Sequence, residues 1–339
     1  MKKILAMLLA VMMLLSVASV AMADDYTDTE TVTITKVYEL EGAGISPAET
    51  FNFTIEPGTV TDAADGVTAA NMPMPTIGNV SYAAGEAGSA NKSKNITITL
   101  PTYTSVGIYT YIIKETANNI AGVTYYGGDI QLKVTVIEQD GKIRVAAVHT
   151  EDGFNGTTEA GTKKDSFENK YTANQLTVTK VVAGKLGDRT KTFYFKATFT
   201  SDKEVKSDVT YGNQKLIFTK GEDGKYTATA TFTLNGSNAN QMTFANLPKG
   251  VTYTVVELSG ENGTELAAGA LVDGKYTVSY DNAKTGTMDK DALSTTITNT
   301  YEGTIDTGVM LDSMPYVLVL AVVGAAVIAL IAKKRRAED

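Results

Sequence analysis

Thr31-Val32-Thr33-Ile34-Thr35-Lys36-Val37 alternates as a half-buried strand does, with Val32 and Ile34 on one face and three threonines on the other. Lys36 breaks the pattern: by parity it shares the face of Val32 and Ile34, so an amine stands where an apolar residue is called for. The phrase returns as Leu176-Thr177-Val178-Thr179-Lys180-Val181, with Lys180 on the face of Leu176 and Val178. Two inward lysines in matching strands need partners, and they set the terms on which the rest of the chain is read.

Working outward, many short alternating stretches are punctuated by Gly, Asn and Asp. In the first half these are Thr50–Ile55, Asn95–Leu100, Gly107–Glu115, Ile130–Ile137 and Lys142–His149, with Asp140-Gly141 as a hairpin turn between the last two. Residues 57–90, rich in Gly, Ala, Pro and Asn, predict a long loop. The second half offers Phe193–Phe199, Lys215–Thr219 facing Tyr226–Leu234, Met242–Phe244, Val251–Glu257, Lys275–Tyr280 and Thr295–Tyr301. No long amphipathic helix is evident. The pattern predicts an all-β chain of two tandem antiparallel sandwiches.

The ends read differently. Lys2 and Lys3 precede an apolar run closed by Ala21-Met22-Ala23, which predicts a signal peptide over residues 1–23, cut after Ala23. Met314–Ala332 carries no charge and is followed by Lys333, Lys334, Arg335 and Arg336, as expected of a membrane span with a cytoplasmic basic end. The expected division is therefore 1–23 leader, 24–173 first domain, 174–303 second domain and 304–339 tail. Of the 339 residues 30 are Lys or Arg and 38 Asp or Glu, and six of the cations lie in leader and tail, so the exported part is strongly acidic. That composition speaks against a nucleic-acid partner. The chain has no cysteine and one histidine, His149. Disulfides are thus excluded, and most histidine-dependent triads and zinc sites with them. No phosphate loop, metal motif or cofactor motif is found, and no nucleophile–base pair of a hydrolase.

Each half also carries an inward carboxylate and an inward carboxamide. Glu115 shares a face with Tyr111 and Ile113, and Glu257 with Tyr253 and Val255. Asn169 lies with Phe167 and Tyr171, and Asn299 with Ile297 and Tyr301. The order Lys, Glu, Asn is the same in both halves. Burial lowers a lysine pKa, giving a neutral nucleophilic amine, and raises a glutamate pKa, giving an acid able to donate to the asparagine carbonyl. Attack of the amine on the carboxamide, with loss of ammonia, would leave an uncharged amide. The alternative is a buried ion pair with asparagine as a hydrogen-bond partner.

The Thr-Val-Thr-Lys-Val opening, the Tyr-Thr-Val-Val-Glu strand after Leu-Pro-Lys-Gly, and the closing Thr-Asn-Thr-Tyr resemble the Ig-like, collagen-adhesin B-type domains of Gram-positive surface proteins. Two such domains between a leader and a sorting tail resemble the major shaft pilins assembled by sortases. The resemblance implies internal bonds Lys36–Asn169 and Lys180–Asn299, promoted by Glu115 and Glu257 without a separate enzyme. It also implies cleavage by a sortase between Thr307 and Gly308, although Thr304-Ile305-Asp306-Thr307-Gly308 lacks the leucine and proline of the usual motif. Lys163 and Lys164, shortly before the closing strand of the first half, occupy the place of the subunit-linking lysine. The implied partners are identical subunits and the sortase, with accessory pilins and peptidoglycan beyond them, and the implied location is the cell surface. The alternative is a monomeric wall- or membrane-anchored adhesin built from the same domains.

Overall fold

In the computed structural model, residues 28–153 and 161–303 are described; Ala23, Thr307, Gly308 and the apolar span Met314–Ala332 lie outside them. Every regular element among the described residues is a β-strand. Among those residues, no helix is long and apolar enough to cross a membrane.

Three sheets carry the described residues. The strand Ser166–Ala183 runs through the middle of the largest, which has eleven strands drawn from both halves of the sequence. A five-stranded sheet faces its first half, with Glu49–Thr61, Gly107–Thr116, Asp129–Gln139 and Lys142–Asp152 as its long strands. A second five-stranded sheet faces the other half, built around Phe193–Ser201, Tyr226–Leu234 and Thr252–Leu258. Between the sheets lie two separate cores. One collects Ile34, Tyr38, Ile96, Phe51, Tyr109 and Phe167. The other collects Leu176, Val178, Phe195, Phe199, Val255 and Ile297.

The sequence expectation of purely antiparallel sandwiches needs one correction. Thr31–Gly42 runs parallel to Ser166–Ala183, and that strand runs parallel to Leu293–Thr300. Parallel neighbours need a long crossover between them. Here the crossover is the whole intervening half, so the first and last strands of each half lie side by side.

A second departure is that the closing strand of the first half and the opening strand of the second are one element. Along Ser166–Ala183, the inward residues of the first half are Phe167, Asn169 and Tyr171, all odd-numbered; those of the second are Leu176, Val178 and Lys180, all even-numbered. A one-residue slip reverses the faces of a strand. The register against Gln241–Pro248 shifts between Asn174 and Leu176, and this irregularity changes the parity. One strand thereby serves two cores.

Local signals were otherwise followed closely. Asp140 and Gly141 both take positive φ, 53° and 74°, between Gln139 and Lys142, as a two-residue hairpin turn requires. Residues 57–90 are less loop-like than expected. They contain the short strands Thr76–Ile77 and Val80–Tyr82, and bury Met72, Val80 and Tyr82. The expected strand Lys215–Thr219 is divided: Gln214–Lys215 pairs with Thr210–Tyr211, and only Thr219–Lys220 reaches Tyr226–Thr227.

Candidate functional site

Lys36 stands between Ile34 and Tyr38 on the inner face of its strand, and its residue exposure is 0%. The parallel register pairs Lys36 with Phe167 and Tyr38 with Asn169. Lys36 and Asn169 are therefore diagonal neighbours on one face of adjacent strands. In the second half, Lys180 pairs with Ile297 and Val182 with Asn299, which reproduces the same diagonal. The glutamates arrive from the opposing sheets, Glu115 on Gly107–Thr116 and Glu257 on Thr252–Leu258.

In both halves the glutamate bridges the other two side chains. Lys36 Nζ donates to Glu115 Oε2 at 2.7 Å, and Asn169 Nδ2 donates to Glu115 Oε1. Lys180 Nζ donates to Glu257 Oε2 at 2.9 Å, and Asn299 Nδ2 donates to Glu257 Oε1 at 2.6 Å. The lysine and glutamate side chains are fully enclosed in each case. Lys36 Nζ lies 4.4 Å from the centre of the Phe51 ring, and Lys180 Nζ 4.4 Å from that of Phe193. The amines thus sit among aromatic faces rather than water.

This environment sets the protonation. Burial pulls Lys36 and Lys180 from the usual lysine value down to about 8, against the opposing pull of the adjacent glutamates. Burial pushes Glu115 and Glu257 up, with the lysines and asparagines pulling the other way. Both partners are displaced toward their neutral forms, as an uncharged nucleophile and an acid require.

One detail differs from the sequence reading. There the glutamate donates to the carboxamide oxygen; in the structure it faces the carboxamide nitrogen, which is the leaving group. The oxygen is handled separately. Tyr126 donates its backbone N–H to Asn169 Oδ1 at 2.8 Å, so this carbonyl is polarised by the main chain. Asn299 Oδ1 is buried and has no hydrogen-bond partner among the described residues. Neither Tyr126 nor the ring neighbours Phe51 and Phe193 carried a sequence signal, because each approaches from a distant segment.

A pH test follows for a variant that keeps the second pair but cannot form an amide. In Asn299→Ala, folded Lys180 holds its proton less tightly than the unfolded chain does, with about 8 against 10.5. Between those values the unfolded chain binds more protons, so stability should rise with pH by about 3 kcal/mol. The raised Glu257 acts oppositely at lower pH, removing stability as pH climbs above its ordinary 4.5. Thermal melts across this range should show the alkaline gain in the variant; a slope equal to that of the wild type would count against a buried titrating lysine.

The other sequence candidates are separated by exposure. Lys163 keeps 58% of its side chain exposed, with Asp165 at 3.3 Å. Lys164 keeps 22%, lies 3.4 Å from Glu168 and sits 5.2 Å from the centre of the Tyr126 ring. His149 is exposed near the end of Lys142–Asp152, 3.9 Å from Glu151. No cluster of three or more metal-ligating side chains occurs among the described residues.

Comparison with known proteins finds matches in both halves of the chain. Residues 32–172 match the Spy0128-like isopeptide containing domain, and residues 174–301 match a domain family of unknown function. A pilin of Streptococcus pyogenes serotype M1 is 28% identical over 316 residues, spanning 87% of this chain and 88% of that protein. The major pilin crystal structure from Streptococcus pyogenes superposes with a TM-score of 0.51 at 23% identity, covering 82% of this chain and 100% of that one. The T3.2 major pilin of the same species gives 0.50 at 20% identity, covering 81% and 99%. The chain is therefore similar to a streptococcal pilin along most of its length, shares the fold of the major pilins, and matches an isopeptide-containing domain over its first half.

Proposed function

We propose that the chain is a structural subunit of a cell-surface pilus whose two domains, 24–173 and 174–303, are each closed by a lysine–asparagine amide. The observation that carries this reading is the repeated triad: two enclosed glutamates, each holding a lysine amine on one oxygen and an asparagine amide nitrogen on the other. In each, Nζ attacks Cγ of the asparagine and a C–N bond forms. The glutamate hands its proton to the departing nitrogen and takes one from Nζ, the Cγ–Nδ2 bond breaks, and ammonia leaves. The glutamate ends as it began, so the step needs no cofactor and runs once per bond. The amide also removes the amine whose burial is costly.

Polymerisation is assigned to a sortase acting at Thr307–Gly308. That bond is exchanged for an amide between the Thr307 carbonyl and a lysine of the next subunit. Both lysines are ion-paired, but exposure favours Lys163 over Lys164 as that lysine, since the second is covered by Tyr126 and keeps 22% of its side chain in solvent against 58%.

Denaturing gels of surface extracts test the assembly. The wild type should give a ladder of covalent multimers, Lys163→Ala should collapse it to monomer, and Lys164→Ala should preserve it. A wild type that runs only as monomer would instead favour the anchored adhesin.

A further inference from the structure

Where the two halves meet, a third glutamate touches a lysine and an asparagine. Glu49 is 3% exposed. Its Oε1 accepts Asn118 Nδ2 at 2.6 Å and Tyr125 Oη at 3.3 Å. Its Oε2 is buried, has no hydrogen-bond partner among the described residues, and lies 3.9 Å from Lys206 Nζ. The arrangement repeats that of Glu257, with the carboxamide nitrogen on Oε1 and the amine on the side of Oε2. What differs is the setting: the lysine comes from the second half, the glutamate and asparagine from the first.

The main chain holds these groups together. Ala121 donates its N–H to Glu204 O at 2.8 Å, and Glu204 donates its own to Asn119 O at 2.9 Å. Asn118 and Lys206 flank this bridge, and with Glu49 they line a cleft of about 590 Å³. A carboxylate enclosed without a partner on one oxygen is costly, and the amine beside it is the nearest charge that can relieve it.

We propose that Lys206 and Asn118 form a third amide, promoted by Glu49, which ties the first half covalently to the second. The proposal rests on the chemistry assigned above to the two buried triads. Glu49 takes a proton from the Lys206 ammonium as the amine closes on Oε2. The freed lone pair attacks Cγ of Asn118, a C–N bond forms, and Glu49 returns the proton to the departing nitrogen. A second proton passes from the attacking nitrogen through Glu49 to the released ammonia, which leaves as ammonium, so Glu49 ends as the carboxylate it began as. Lys206 keeps 41% of its side chain in solvent, whereas Lys36 and Lys180 keep none. The bond therefore forms more slowly than the other two, after the halves have docked.

The test compares the intact mass of the wild-type ectodomain with that of Lys206→Arg after the same prolonged incubation. The wild type should be deficient by one more ammonia, relative to its own sequence, than the variant. Proteolysis should then release a branched peptide joining the Asn118 and Lys206 segments. Equal deficits after prolonged incubation overturn the proposal, whatever their size. Lys36→Arg and Lys180→Arg report the two buried bonds independently, so a failure there is read apart from a failure here.

Discussion

The ectodomain carrying Glu257→Ala will retain one ammonia that the wild type loses, and will melt at least about 20 °C lower. The substitution leaves Lys180 and Asn299 in place and removes only the group that bridges them. Without it no proton is delivered to the leaving nitrogen, so the amide does not form. Two effects then act on stability. The unbonded chain regains the conformational freedom that a cross-link from Lys180 to Asn299 removes, worth about 5 kcal/mol for a loop on the order of 100 residues. The amine is also left buried beside Phe193 without its carboxylate, which costs about 3–5 kcal/mol. Five kcal/mol alone corresponds to roughly 20 °C for a domain of this size. Mass and melting together separate the readings. A lower melting temperature with an unchanged ammonia deficit would make Glu257 a structural ion-pair partner and remove it as promoter.

Under tension, the wild type will lengthen far less than Glu115→Ala. The first strand and Ser166–Ala183 are adjacent and parallel, and the proposed amide joins them at Lys36 and Asn169. A pull on the termini enters along the first strand, crosses the amide and leaves along the shared strand. Everything from Tyr38 to Phe167 is bypassed. Without the amide, the same pull unravels that segment, releasing roughly 450 Å at about 3.4 Å per residue. Single-molecule stretching should show this step in the variant only. The same release in both proteins would mean that the first half is not closed.

Most of the fold was legible because alternation is strong and the turns carry their own chemistry. Asp140-Gly141 and the runs around Tyr111, Val134 and Phe195 needed no tertiary knowledge. The triads were legible for a related reason: a polar residue on an apolar face is conspicuous, and six of them recurred in one order. What alternation cannot convey is strand direction and continuity. The parallel pairing of the first and last strands depends on how the chain returns after a long crossover. The fusion of two strands into Ser166–Ala183 depends on the register shift near Asn174. Glu49 escaped for the opposite reason, since its partner Lys206 lies on an exposed segment where a lysine attracts no notice.

The strand Ser166–Ala183 holds Asn169 near one end and Lys180 near the other, so both proposed amides would be anchored on the same element. With them formed, each half is a closed ring in the covalent sense. A protease that cuts anywhere between Lys36 and Asn169, or between Lys180 and Asn299, opens a ring without dividing the chain. With those two alone, the short run from Asn169 to Lys180 and the two ends are the places where a single nick would sever the subunit, and the Lys206–Asn118 amide proposed above would bridge that run as well. That run is paired on both sides over most of its length. Surface loops elsewhere can be cleaved, or can change in sequence, and the molecule stays in one piece.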